Sequence, residues 1–71
     1  MKKMVKFTDK NTKECKRMLI SNVGEHVFRI VCDVNEMNRA ISWCNHHTIG
    51  EVWDRDEYRI ELIADSNEVS E

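Results

Sequence analysis

Apolar and polar residues alternate over much of this chain, and the alternation predicts five β-strands. Val5 and Phe7 share one face of the first strand, which covers residues 4–8. Similar alternation recurs at residues 13–21, 26–32, 51–55 and 58–63. A period of two is typical of strands, because successive side chains point to opposite faces of a sheet.

Turn-forming residues separate these strands. Residues 9–12, Asp-Lys-Asn-Thr, predict a turn because Asp and Asn side chains hydrogen-bond to nearby backbone groups. Residues 22–25 predict a hairpin, because Gly24 can adopt a positive φ without steric cost. A third turn, at residues 54–57, is predicted to join the last two strands.

The segment after residue 33 has helical periodicity. Asp33 and Glu36 have the spacing of a capping box, which marks the start of a helix. Gly50 is a suitable stop, so the predicted helix covers about residues 34–48. One arc of this helix is predicted to face the core: Val34, Met37, Ala40, Ile41, Cys44 and Thr48.

The order of these elements, β-β-β-α-β-β, predicts the α+β class. We expect an antiparallel sheet of four to five strands, with one helix packed on one face. Residues 1–63 are predicted to form a single domain, and residues 64–71 to form a frayed acidic tail. A domain of 71 residues has a small core, so a homodimer is one way in which it would bury more surface.

Composition predicts a cytoplasmic location. The longest uninterrupted apolar stretches, such as residues 18–20, contain three residues, which favours neither export nor insertion into a membrane. Three cysteines form an odd, irregularly spaced set, which is typical of reduced thiols in a cytosol.

The residues most suited to metal binding or nucleophilic chemistry lie around the predicted helix. Cys44 and His47 are three residues apart, and Cys32 and His46 could complete a set of four zinc ligands. Thiols buried in the core and histidines at a helix C-terminus explain the same residues without a metal. Since the cysteine is predicted to point inward and a phosphate-binding glycine loop is absent from the sequence, we expect no enzyme activity, no metal and no cofactor.

The two tryptophans are candidate interface anchors. Trp43 is predicted at the edge of the core, and Trp53 on the outer face of its strand. Tryptophan is enriched among the residues that dominate binding energy at protein interfaces. The alternative is that both side chains close the core at its rim.

Charge is divided unevenly along the chain. Residues 1–17 contain seven positive and two negative side chains, a net charge of +5, whereas residues 18–71 contain four positive and eleven negative ones, a net charge of −7. Strand positions two residues apart lie about 6.6 Å apart on one face, so a row of carboxylates there would imitate a phosphate backbone. Chance clustering on a solvated surface is the alternative. The predicted partner-binding residues are Glu51, Trp53, Asp54, Asp56, Glu57, Glu61, Asp65 and Trp43.

The chain resembles the small early proteins with which lytic bacteriophages take over host processes. The resemblance is one of overall character: short length, many Lys, Asn and Glu residues, no proline, unoxidised cysteines and a compact mixed fold without catalytic motifs. Some members of that class inhibit nucleoid-associated proteins, polymerases or nucleases by mimicking DNA, and others are antitoxins. The resemblance implies a phage-encoded inhibitor that acts in the host cytoplasm.

We therefore expect a non-enzymatic protein whose acidic face occupies the basic surface of a DNA-binding host protein, such as a nucleoid protein. One alternative is a nucleic-acid-binding regulator that uses Lys10, Lys13 and Lys16 of the N-terminal hairpin. Another is an antitoxin-like or dimeric interaction module.

Overall fold

A computed structural model describes residues 3–64 as two layers, a sheet and a pair of helices. The elements in chain order are β1 (Lys3–Asp9), β2 (Glu14–Met18), α1 (Ile20–Val31), α2 (Val34–His46), β3 (Val52–Asp54) and β4 (Tyr58–Ala64). The four strands form one antiparallel sheet in the order β2-β1-β4-β3. The predicted α+β class and antiparallel sheet are confirmed, whereas the predicted order with one helix is wrong.

The error lies in residues 20–31, which form α1 rather than a hairpin and a third strand. Val23 and Val27 are fully buried and lie one helical turn apart. Ile20, Ile30 and Val31 extend the same apolar stripe, with spacings of three and four residues. The alternation at residues 26–32 is a short part of this longer helical pattern, and burial of the whole stripe decides the structure.

Gly24 is buried inside α1, where the sequence predicted a turn. A Cβ atom at this position would lie 2.7 Å from Cδ1 of Ile41 and 3.3 Å from Cγ of Met37, both on α2. Because it has no side chain, the glycine therefore permits a close approach of the two helices.

The start of α2 is as predicted. The Asp33 side chain accepts hydrogen bonds from the backbone N–H groups of Asn35, at 2.9 Å, and Glu36, at 3.3 Å. The helix ends at His46, two residues before the predicted end, and Val34 is exposed although its position on the arc predicted burial. Among residues 3–64, neither helix is both long and apolar enough to cross a membrane.

The core lies between the helices and one face of the two central strands. Val5 and Phe7 of β1 are opposite Leu62 and Ile60 of β4, and all four are buried. Fully buried helix residues complete this core: Val23 and Val27 of α1, with Ala40 and Cys44 of α2. The other face of the sheet has no helix over it within the described part of the chain.

Both β-hairpin turns lie at one end of the molecule, which we call the hairpin end (residues 10–13 and 55–57). Asp9 accepts a hydrogen bond from the backbone N–H of Asn11 at 2.9 Å, which confirms the predicted turn chemistry. The backbone N–H of Lys10 donates to the carbonyl of Glu57 at 3.0 Å and ties the two turns together. The predicted tail falls outside the described residues, apart from Ala64, which belongs to β4.

Candidate partner-binding surfaces

An acidic depression of about 330 Å³ opens at the hairpin end, where the end of α1, the first turn of α2 and the β3–β4 turn meet. Four carboxylates and one guanidinium line it. The complete lining is Val31, Glu36, Asp54, Arg55, Asp56, Glu57 and Tyr58. The structure thus brings together three of the predicted site residues and adds Glu36 from a distant part of the chain.

Hydrogen bonds fix the wall of the acidic depression. The Glu36 carboxylate, only 12% exposed, accepts from the Tyr58 hydroxyl at 2.6 Å and from Nε of Arg55 at 3.2 Å. The Tyr58 oxygen in turn accepts from Nε1 of Trp53 at 3.1 Å. Sequence reasoning missed this role, because the capping-box pattern assigned the Glu36 side chain to its own helix.

Asp54 carries a charge that a lysine of the N-terminal hairpin partly neutralises. Nζ of Lys10 lies 2.8 Å from Oδ1 of Asp54, and this hydrogen bond holds the pKa of the carboxyl below its ordinary value. Asp56 and Glu57 are exposed in the adjacent turn. Because Arg55 pairs with Glu36 as Lys10 pairs with Asp54, the negative excess of the acidic depression lies mainly on Asp56 and Glu57.

Glu51 lies apart from the acidic depression and closes the loop after α2. Its carboxylate accepts from the backbone N–H of Thr48 at 3.0 Å, from the Thr48 hydroxyl at 3.1 Å and from Nδ1 of His47 at 2.9 Å. The backbone N–H bond is the largest of the causes that lower the pKa of Glu51 to about 2. These contacts give Glu51 a local structural role.

Glu61 and Asp65 also lie away from the acidic depression. Glu61 is on the open face of the sheet, opposite Lys6 of β1 and Val52 of β3, and 3.8 Å from the guanidinium of Arg59. Asp65 falls outside the described residues. The acidic segment therefore does not present its described carboxylates as one row.

The two tryptophans meet at the rim between α2 and β3. Their ring centroids are 5.8 Å apart, and Trp43 also stacks on the His47 ring at 4.7 Å. Trp53 is half-buried on the face of the sheet that the helices cover, whereas the sequence predicted the outer face. Val52, the neighbour of Trp53 on the other face of the strand, is the exposed residue of the two. The tryptophan rim (Arg39, Ser42, Trp43, His46, His47 and Trp53) surrounds a shallow apolar hollow of about 460 Å³.

Basic side chains gather at the β2 edge of the sheet and on the open face beside it, a surface that we call the basic edge. A depression of about 480 Å³ there is lined by Lys6, Cys15, Lys16, Arg17 and Ile63. Because the strand order puts β2 and β3 at opposite edges, the positive residues of β2 are separated from the negative residues around β3, although Lys10 of the N-terminal hairpin pairs with Asp54. Residues 13–18 hold three positive side chains and one negative, and residues 51–57 hold four negative and one positive.

The cysteines differ in environment. Cys44 is fully buried, and burial raises the pKa of its thiol to about 11, so the group stays protonated at neutral pH. Cys15 and Cys32 are exposed. Within residues 3–64, no group of three or more His, Cys, Asp or Glu side chains is arranged to hold a metal ion.

Tyr58 is the only tyrosine in the chain, so its ionisation can be followed directly. Burial, more than the hydrogen bond to Glu36, raises the pKa of its hydroxyl from 10.0 to about 12. Below pH 10 both folded and unfolded chains keep the proton, whereas between pH 10 and about 12 only the unfolded chain loses it. We expect stability to fall across that window as pH rises.

An absorbance titration of tyrosinate, combined with thermal melts at each pH, tests this expectation. Tyr58→Phe should cost about 1 kcal/mol at neutral pH, because it leaves the Glu36 carboxylate and the Trp53 N–H without their partner. The variant should also lose this part of the alkaline destabilisation. A tyrosinate titration midpoint near the ordinary tyrosine value would show that the Tyr58 hydroxyl is neither buried nor hydrogen-bonded as described.

Comparison with protein-family models, curated proteins and solved structures finds no match. The fold defines a small two-layer α+β protein. Its surface offers an acidic depression, a tryptophan rim and a basic edge.

Proposed function

We propose that this chain is a small non-enzymatic binding protein that occupies the basic, nucleic-acid-binding surface of a host protein. The observation that carries the proposal is the acidic depression, in which Glu36 of α2 joins Asp54, Asp56 and Glu57 at the β3–β4 turn. The resemblance to early phage proteins supports a phage-encoded inhibitor that acts in the host cytoplasm, with a nucleoid protein as its target.

Two physical features favour this reading. Carboxylates gathered at one end steer the approach of a basic surface and oppose the binding of DNA itself. Glu36 is also fixed before binding, by the Tyr58 hydroxyl and the Arg55 guanidinium, so little side-chain entropy is lost on association.

The tryptophan rim lies next to the acidic depression and supplies apolar contact area. Arg55 joins the two surfaces, because its guanidinium lies 5.4 Å from the centre of the Trp53 ring and also lines the depression. A half-exposed tryptophan beside complementary charges is typical of the residues that dominate interface energy.

A competition assay tests the proposal. The purified chain is expected to release a DNA duplex from a histone-like nucleoid protein at moderate salt, without shifting the duplex itself. The triple variant Asp54→Lys, Asp56→Lys, Glu57→Lys should compete about tenfold less well, a difference of about 1.4 kcal/mol. Added salt should weaken competition by the unaltered chain, because exposed charges are screened beyond about 10 Å at 0.1 M.

The matched control makes the same change in net charge elsewhere. Glu14, Glu25 and Glu61 lie on β2, α1 and the open face of the sheet, and none of them lines the acidic depression, so the control is Glu14→Lys, Glu25→Lys, Glu61→Lys. This control should compete nearly as well as the unaltered chain, with thermal melts confirming that both variants fold. Equal loss in the two triple variants would show that net charge, and not this surface, is responsible.

The basic edge favours a second candidate function, a nucleic-acid-binding regulator. Lys6, Lys16 and Arg17 line one depression there, and phosphate contacts of this kind give a steep salt dependence. Under this alternative the chain shifts DNA directly, and Lys13→Glu with Lys16→Glu abolishes the shift. Direct binding that survives the triple change in the acidic depression would reject the inhibitor proposal.

A further inference from the structure

Strand β3 is an edge strand, and its outer side has no neighbour within the described part of the chain. We propose that two copies of this chain pair through β3, antiparallel about a two-fold axis at Trp53, and so join their sheets into one. This association uses Trp53, Asp54 and Arg55, which also belong to the surfaces of the proposed inhibitor function, but its test measures self-association and not competition with DNA. Backbone geometry, side-chain complementarity and the unsuitability of the other edge support it.

The backbone of β3 offers two residues for pairing. Arg55 donates its N–H to the Tyr58 carbonyl at 2.9 Å, and Glu51 accepts at its carbonyl from Leu62 at 3.0 Å. The Arg55 N–H and the Glu51 carbonyl therefore face β4, whereas the Glu51 N–H donates to the Thr48 carbonyl at 3.1 Å. Trp53, which lies midway between them and opposite Ile60, also faces β4. By alternation, the N–H and C=O groups of Val52 and Asp54 point outward.

A two-fold axis at Trp53 satisfies all four of these outward groups. Val52 then lies opposite Asp54 of the second copy, and Asp54 lies opposite Val52. Each pair exchanges two hydrogen bonds, and the central Trp53 pair between them is a non-hydrogen-bonded pair, which is the alternation that antiparallel strands require. Side chains approach most closely at such a pair, so the two Trp53 rings would meet.

The side chains flanking Trp53 are also self-complementary. In this register Glu51 lies opposite Arg55 of the second copy, and the symmetry creates the same pair twice. Both side chains are 47% exposed, and to reach across the junction Glu51 must leave its contacts with Thr48 and His47, and Arg55 its contact with Glu36. Opposite charges on directly opposed strand positions are stabilising. Val52, which is 37% exposed, adds apolar surface at the junction.

The other edge strand is unsuited to the same association. A two-fold axis at Lys16, the middle residue of β2, would place two lysines directly opposite each other. Like charges at that spacing are destabilising, and lysines on an edge strand are a common means of preventing sheet extension. The two edges therefore differ in their capacity to pair with a second copy.

Sedimentation of the whole chain over a range of concentrations is the first test. We expect a reversible dimer with a dissociation constant below about 100 µM. Asp54→Pro removes one outward N–H but no hydrogen bond to β4, so it should give a folded monomer. Asp54→Ala is the matched control, because it loses the same carboxylate and keeps the N–H, and it should still dimerise.

Exchanging the charges at positions 51 and 55 gives a second test. Its result does not rest on a single variant that could fail to fold. Glu51→Lys alone and Arg55→Glu alone each place like charges opposite each other, and each should weaken the dimer about tenfold. A mixture of the two variants should recover the association, because lysine then faces glutamate and arginine faces glutamate. Recovery on mixing requires contact between residues 51 and 55 of different copies.

Several outcomes would overturn the proposal. An unaltered chain that remains monomeric up to about 1 mM excludes the proposed dimer. A dimer that survives Asp54→Pro unchanged assigns the contact to another surface. Failure of the mixed variants to associate more tightly than each variant alone rejects the register at Trp53.

Discussion

Replacing Ile60 with alanine is expected to lower the free energy of unfolding by about 2–5 kcal/mol. Ile60 is fully buried on β4, between Phe7 of β1 and Trp53 of β3, so the deletion leaves a cavity against both neighbouring strands. A domain of this size has a total stability of roughly 4–11 kcal/mol. The variant should therefore lose a large part of its stability, which urea denaturation followed by circular dichroism measures.

Ile63→Ala is the matched control on the same strand. Ile63 is half-buried on the opposite face of the sheet, opposite Met4. The same side-chain deletion should there cost about 1 kcal/mol or less, because much of the removed surface is already in contact with water. Equal losses for the two variants would contradict the assignment of the covered and open faces.

Gly24→Leu should be nearly as damaging, with a loss of about 2–3 kcal/mol. A Cβ atom alone would lie 2.7 Å from Cδ1 of Ile41, so a leucine must separate the helices or displace the facing side chains. Thermal melts monitored by circular dichroism measure the change. Helical signal should be retained below the transition, since leucine has the higher helix propensity.

Two controls separate crowding at the helix crossing from other effects of the substitution. Asn22→Leu adds the same side chain to an exposed position of α1 and should be nearly neutral. Gly24→Ala should be far milder than Gly24→Leu, because the Cδ1 end of Ile41 can rotate away and alanine favours the helix by about 1 kcal/mol. Equal tolerance of alanine and leucine at position 24 would mean that the helices do not cross closely there.

Sequence reasoning succeeded where the signal is local. The turn at Asp9, the helix cap at Asp33 and four of the five strands with a period of two depend on residues a few positions apart, and these are found in the structure. The prediction for residues 20–31 was wrong because two patterns coexist there: strand alternation over a short window and helical spacing over a longer one. Gly24 then favoured the prediction of a turn, although a glycine is equally suited to a close crossing of two helices.

The candidate site was predictable only in part for a related reason. Asp54, Asp56 and Glu57 are close in sequence and remain close in space. Glu36 joins them only through the packing of α2 beside the β3–β4 turn, with a contact to Tyr58 that spans 22 residues. Glu51, in contrast, is held by Thr48 and His47, so proximity in sequence did not place it on the same surface.

The pairing of β1 with β4 places the first and last described strands side by side in the middle of the sheet. Lys3 lies opposite Ala64, so the sheet cannot close until β4 has left the ribosome. Until then a nascent chain exposes Val5 and Phe7 on a lone hairpin, which chaperones and proteases can reach. The same geometry suits the chain to circular permutation. A short linker from residue 64 to residue 3, with new chain termini placed within residues 10–13, would keep every strand pair.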